Sequence, residues 1–174
     1  MNYILFDDYS WDNLLPLTFT RPTSEIRIGI LTIKEKWEKY LNQSCSYITK
    51  EYLAKKFPLN QEQYNILING SILPNEPLFK EIEELKPGQT LVKDNDIIAG
   101  YLEKKEIEAF RNKELRDIEI KEFKGELIKI NHPWQIFQHN GEAINHDFQL
   151  LTNGRTSAAL SETNRVKGAE NIFI

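Results

Sequence analysis

Two adjacent acids, Asp7 and Asp8, follow directly on the apolar run Tyr3-Ile4-Leu5-Phe6. A short continuous apolar run reads as a buried strand. Carboxylates just past its end lie where open α/β sheets bind ligands, and there they would hold Mg2+ or a ligand hydroxyl. The plain alternative is a solvated strand end. A second group is basic: Arg21 and Arg27 sit either side of Pro22 in what reads as a long structureless loop over residues 9–30, of the kind that is usually functional, and Lys34 and Lys36 follow at a helix start. Guanidinium groups take phosphate bidentately, and a helix N-terminus adds its own attraction for anions. The alternative for these residues is capping and surface ion pairing. His132, His139 and His146 are spaced by seven. On one helix that spacing spreads neighbours by roughly 10 Å along the axis, too far for one metal ion, so they read as surface or capping histidines. The sequence contains no P-loop, dinucleotide-binding glycine fingerprint, nucleophile elbow or zincin motif.

The elements that must position these groups follow from pattern. Thr32-Ile33-Lys34-Glu35 is a capping box opening an amphipathic helix to about Leu41. Strands are expected at 46–49 and 64–69, with a short helix at 51–57 stopped by Pro58. A helix at 77–85 has Pro77 in its first turn, where the missing N–H costs nothing. This alternation predicts a parallel sheet covered by helices. Residues 90–93 and 97–102 read as a hairpin with a three-residue turn at 94–96, and 104–115 as a charged helix. A last strand is expected at 126–130. A helix capped by Asn131 should end at Asn140-Gly141, with a further helix at 142–151. Residues 154–171 are rich in small polar residues and read as a linker, and 171–174 as an apolar strand-like stub. Trp11, Trp37 and Trp134 are expected in the core rather than as stacking platforms.

Composition sets the class. The chain has 174 residues, 40% hydrophobic and 28% charged, with a net charge of −4. It is long enough to bury a real core. The acidic balance argues against nucleic acid and anionic membranes as partners. The first eight residues carry two acids and no basic segment, unlike a signal peptide. The single Cys45 excludes an internal disulfide and a cysteine-based zinc site. A cytoplasmic location is expected.

Leu15-Pro16-Leu17-Thr18-Phe19-Thr20-Arg21-Pro22 resembles the tail of the sugar nucleotidyltransferase signature, with Pro16-Leu17-Thr18 and Pro22 at matching spacing. Ile66-Leu67-Ile68-Asn69-Gly70-Ser71 resembles that family's strand ending in Gly-Asp, and Glu142-Ala143-Ile144-Asn145 its E-x-x-N stretch. The N-terminal half, with Glu25-Ile26-Arg27-Ile28-Gly29-Ile30 and Lys36-Trp37-Glu38, is similar to a divergent GlmU-like group. In that group a nucleotidyltransferase domain precedes a left-handed β-helix acyltransferase domain.

The resemblance implies a Rossmann-like three-layer α/β domain with a mostly parallel sheet over residues 1–153, then a linker and the start of a β-helix over 154–174. It implies nucleotidyl transfer from a nucleoside triphosphate to a sugar 1-phosphate, giving UDP-N-acetylglucosamine by analogy, with Mg2+ as cofactor. A trimer would form only with a full β-helix. Three departures stand out: Tyr9 to Asn13 replace the glycine-rich phosphate loop, Thr23 replaces the lysine after the signature proline, and Ser71 replaces the metal-binding aspartate. A substitute set is therefore expected. Arg21 and Arg27 would clamp phosphate, Asp7, Asp8, Thr18, Asn69 and Gly70 would bind substrate, and Asp8 with Asn145 would hold Mg2+. The other reading is a degenerate domain that binds a ligand or packs on the acyltransferase.

Overall fold

The chain is described as a computed structural model covering residues 1–115 and 118–174. The first strand, β1 (Asn2–Phe6), is apolar from Tyr3 onward because both of its faces are covered there. Tyr3 and Leu5 enter one core with Ile66, Ile68, Trp37, Leu78 and Ile82. Ile4 and Phe6 enter the opposite one with Leu67, Leu102 and Ile107. The alternation of side chains along a strand thus builds helix–sheet–helix layers around β1.

Chain order continues through a four-residue helix α1 (Ser10–Asn13), the small hairpin β2 (Arg27–Ile28) and β3 (Leu31–Thr32), and helix α2 (Ile33–Leu41). The capping box at Thr32 and Glu35 forms as expected, with both reciprocal hydrogen bonds in place. Strands β4 (Cys45–Ile48) and β5 (Tyr64–Asn69) follow, then α3 (Glu76–Glu83), β6 (Gln89–Lys93), β7 (Asp96–Glu103), α4 (Ile107–Arg111), β8 (Glu119–Glu122) and α5 (Pro133–Thr152). The six-stranded sheet runs β4-β1-β5-β7-β6-β8. The β4-β1, β1-β5 and β6-β8 pairs are parallel, and the other two are antiparallel. The α/β expectation holds.

Strand β1 lies between the next two parallel strands of the large sheet. The chain winds from β1 to β4 on one side and then returns past it to β5 on the other. That reversal opens a crevice between the carboxyl ends of β1 and β5, the place where open α/β sheets bind ligands.

Several local expectations are corrected. The stretch after Asp8 is not a structureless loop. It winds through successive turns that bury Trp11, Leu14, Thr18, Thr23 and Ser24. The β6–β7 turn has two residues, since Lys93 pairs with Asp96. Asp94 and Asn95 both take positive φ, as a tight primed turn requires. The last strand of the sheet is 119–122 rather than 126–130, whose ladder contact among the described residues is a single bridge from Lys129 to Ile72. The charged helix at 104–115 is α-helical only over Ile107–Arg111.

Asn140-Gly141 does not end a helix, because α5 runs unbroken for 20 residues. A mid-helix glycine costs about 1 kcal/mol, and tertiary anchors on either side of Gly141 outweigh it. The Asn140 side chain accepts from the Gly29 N–H at 2.9 Å, and Asp147 is buried against α2. The apolar terminus is not a strand. Phe173 packs edge-on against Phe148 of α5, and Ile174 exchanges hydrogen bonds with Ala158 and Ser157. No described helix is long and apolar enough to cross a membrane.

Candidate active site

A cleft of about 640 Å³ opens at the β1/β5 crevice. Its floor is Asp7, Asp8 and Asn69, the residues that end β1 and β5. Thr49 and Lys50 after β4 form one wall, and Asn95 and Asp96 of the β6–β7 turn form another. Over it lies the end of α4, with Glu108, Phe110, Arg111 and Lys113. Phe6 and Phe110 meet edge to face at 5.0 Å and give the cleft an apolar side.

The two acids have different surroundings. Asp7 accepts from the Thr23 N–H at 2.8 Å and the Thr49 hydroxyl at 2.5 Å. Burial dominates these bonds and pushes its pKa up to about 6. Asp8 accepts from the Ser10 N–H, from the Asn69 amide at 2.9 Å and from the Lys129 ammonium at 2.8 Å. Burial works against its charge, but the bonds from Lys129 and Asn69 outweigh it and hold the carboxyl below its ordinary value.

Asn69 is fully committed. Its oxygen takes the Ser71 N–H and hydroxyl, and its amide donates to Asp8 and the Ile97 carbonyl. It therefore positions Asp8 rather than reaching a ligand. Gly70 lies just behind the floor, where a Cβ would stand 3.2 Å from both the Phe6 carbonyl and Ser24, so no side chain fits without displacing backbone.

The other expected site residues do not converge here. Thr18 is fully buried, and its hydroxyl donates to the Trp11 carbonyl at 2.6 Å, so it shapes the loop. Arg21 is exposed outside the cleft, where its carbonyl accepts from the Trp11 indole. Arg27 sits on the β2–β3 hairpin, bonded to the Ile30 carbonyl and 3.5 Å from Glu35. Asn145 is exposed on α5, about 200° around the helix from buried Ala143 and Asp147, and cannot meet Asp8. The three histidines also stay apart. His132 caps α5 and stacks on Trp134, His139 lies 3.9 Å from Glu142, and His146 meets the Tyr40 hydroxyl at 3.0 Å.

Among the residues of the site not singled out by sequence are Lys50, Asp96, Arg111, Lys113 and Lys129. Lys129 carried a signal, being the one charge in the apolar run Leu127-Ile128-Lys129-Ile130. Lys113 carried none. It takes φ +59 at the end of α4, where a glycine is usual, and closes a Schellman-type pair of hydrogen bonds.

The sugar nucleotidyl transferase family profile matches residues 3–156, nearly the whole sheet and α5. The chain belongs to that family. A comparison with curated proteins finds no match. Among solved structures, a Bacillus anthracis protein assigned as a glucose-1-phosphate thymidylyltransferase, crystallised with sucrose, shares the fold. It aligns with a TM-score of 0.50 and 13% identity over 83% of this chain and 96% of its own.

Membership of the family implies a divalent ion. The residues of this cleft do not fit one. Among the described residues no three acids or histidines gather as a ligand set. The space between Asp8 and Asp96 is held by the Lys129 ammonium, 2.8 Å from each. Nor does the loop offer phosphate a cradle, since the Ser10 N–H at its first turn is taken by the Asp8 carboxylate at 2.9 Å.

Proposed function

We propose that this cleft transfers a nucleotidyl group from a nucleoside triphosphate to a sugar 1-phosphate. An oxygen of the sugar phosphate attacks the α-phosphorus, the bond to the β-phosphate breaks, and pyrophosphate leaves with the electron pair. The observation carrying this reading is the division of the cleft: an acceptor-rich floor at the β1/β5 crevice below a rim bearing Lys50, Arg111 and Lys113. Phosphates belong at the cationic rim, where charge developing on the leaving group is neutralised. Donor groups of a sugar or base belong at the floor and its Asp96 wall, where Lys129 holds the Asp8 and Asp96 carboxyl oxygens in fixed positions. Mg2+ enters as the magnesium salt of the triphosphate, with no step of its own in the protein's floor. UDP-N-acetylglucosamine is the product favoured by the GlmU-like resemblance. A boundary near residue 153, with a β-helix beginning in 154–174 and trimerising when complete, belongs to the same proposal, as does action in the cytoplasm.

The test is pyrophosphate release from UTP with N-acetylglucosamine 1-phosphate, followed by other triphosphate and sugar-phosphate pairs. Removing two of the three rim cations with Arg111→Ala and Lys113→Ala should raise KM for the triphosphate about tenfold or more. Absence of release with every pair would sink the reading. One observation favours a second reading, a domain that binds a nucleotide-sugar or packs beside an acyltransferase without turning over. The N–H that a glycine-rich loop would give to phosphate is capped by Asp8 instead. In that case nucleotide-sugar binding survives while pyrophosphate release is absent.

A further inference from the structure

Lys129 is held with unusual completeness for a lysine beside a cleft. Its backbone is pinned on both sides, by the Leu73 N–H to the Ile128 carbonyl at 3.0 Å and the Ile130 N–H to the Ser71 carbonyl at 2.8 Å. Its ammonium lies 2.8 Å from Asp8, 2.8 Å from Asp96 and 2.9 Å from the Tyr9 hydroxyl. It also stands 4.0 Å from the centre of the Tyr9 ring. Those three partners use all three ammonium protons. The side chain is only 10% exposed, yet its two carboxylates line the cleft.

We propose that the Lys129 ammonium is the resident cation of this site, occupying the position between Asp8 and Asp96 that a divalent ion would otherwise take. The proposal rests on reading the cleft as the place of nucleotidyl transfer. Two carboxylates facing one point across a crevice need a positive charge there, because like charges at that separation disfavour joint ionisation. A divalent ion needs several oxygens at about 2.0–2.6 Å and strips part of its hydration to get them. With the ammonium already bridging the pair, those oxygens are spent and a second cation beside it is repelled. The Tyr9 ring adds a face that suits a cation on a fixed stem. Ser71 fits the same arrangement. It brings no carboxylate to the floor, and its carbonyl anchors the segment that presents Lys129. The Asp8 and Asp96 carboxylates are thus aimed at substrate donor groups without a bound metal.

The test reads metal binding by itself, so it does not depend on turnover. Mn2+ is titrated into the whole chain without nucleotide, and the free-ion electron paramagnetic resonance signal is followed. The wild-type chain should show no site tighter than about 1 mM. Lys129→Met, which keeps the length and packing of the stem, should gain one site per chain at least about tenfold tighter. That site should vanish when Asp8→Asn is added. A wild-type Mn2+ site of submillimolar affinity that disappears with Asp8→Asn alone would overturn the proposal, and this arm needs no lysine variant. A folded Lys129→Met chain that gains no site would overturn it too, leaving Lys129 a structural ion pair. A negative pyrophosphate assay would sink the catalytic reading while leaving these outcomes as they stand.

Discussion

Among the described residues, one lysine is sealed against a single aspartate in the core and another, half-buried, bridges two aspartates, and the two places differ in what else reaches them. Lys36 of α2 and Asp147 of α5 form a closed pair, with side chains 1% and 0% exposed. Asp147 also accepts the Ile30 and Leu31 N–H groups at 2.8 and 3.0 Å. Gly29, at φ +76, lets the hairpin pass so near that a Cβ there would stand 2.6 Å from the carboxylate. Burial pulls the Lys36 ammonium below the ordinary lysine value, and Asp147 pulls against it. Both Asp147 oxygens are thus committed to groups of the core. Lys129 is bonded to three partners, but Asp8 and Asp96 are 16% and 28% exposed and open onto a cleft. The same pair of residue types therefore serves as a clamp in one place and as a binding floor in the other. Access to solvent separates the two roles.

The largest expected effect would break the clamp. Removing one partner of a buried ion pair leaves an uncompensated charge, so Asp147→Ala should cost about 3–5 kcal/mol in urea unfolding. Replacing both partners at once, Lys36→Met with Asp147→Leu, should restore only the part due to the unpaired charge, because the Ile30 and Leu31 N–H groups still lose their acceptor. Asp96→Ala, at the open site, should cost no more than about 1 kcal/mol. Equal losses at the two places would erase the distinction between them.

A second effect depends on pH. Asp7 has a folded pKa of about 6 against an ordinary 3.8. The folded chain therefore holds this proton longer than the unfolded chain. The stability it contributes is complete below about pH 4 and is lost as pH rises to about 6. Asp7→Asn keeps the shape without the charge. Its stability relative to wild type should rise by about 2 kcal/mol between pH 4 and pH 7, measured by urea titration at both. A constant difference would show that burial does not govern this carboxyl.

Smaller effects sharpen the contrast at the rim. Lys113 sits in the left-handed region that favours glycine, so Lys113→Gly should raise stability by about 0.5–1 kcal/mol while weakening triphosphate binding. A gain in stability with unchanged affinity would remove Lys113 from the site. Arg27→Ala should change stability by less than about 0.5 kcal/mol and leave KM unaltered, because its pair with Glu35 is largely exposed.

Much of the frame was legible along the chain. The apolar run before Asp7, the capping box at Thr32 and the proline-led start at Pro77 each act within a few residues, and each marks a real element. The misread elements are those decided at a distance. Gly141 looks like a terminator until Asn140 and Asp147 are seen anchored to the hairpin. Leu127-Ile128-Lys129-Ile130 looks like a strand, yet its partner is a single bridge to Ile72.

The site divides the same way. Asp7, Asp8 and Asn69 were accessible to sequence reading because strand ends declare themselves by an apolar run that stops. Arg21 and Arg27 stood out by charge alone, and charge without a fold does not say which face a side chain takes. By itself the sequence determined the α/β class, the Thr32 helix cap and the acids at the end of the first strand, since these follow from local spacing and side-chain chemistry, whereas the cap expected at Asn131 falls on His132. Only the tertiary structure decided that Lys129, some 120 residues on, would sit between Asp8 and Asp96, and that Lys36 would be sealed against Asp147. Such contacts are fixed by how the sheet winds and where its helices pack, and no local pattern encodes them.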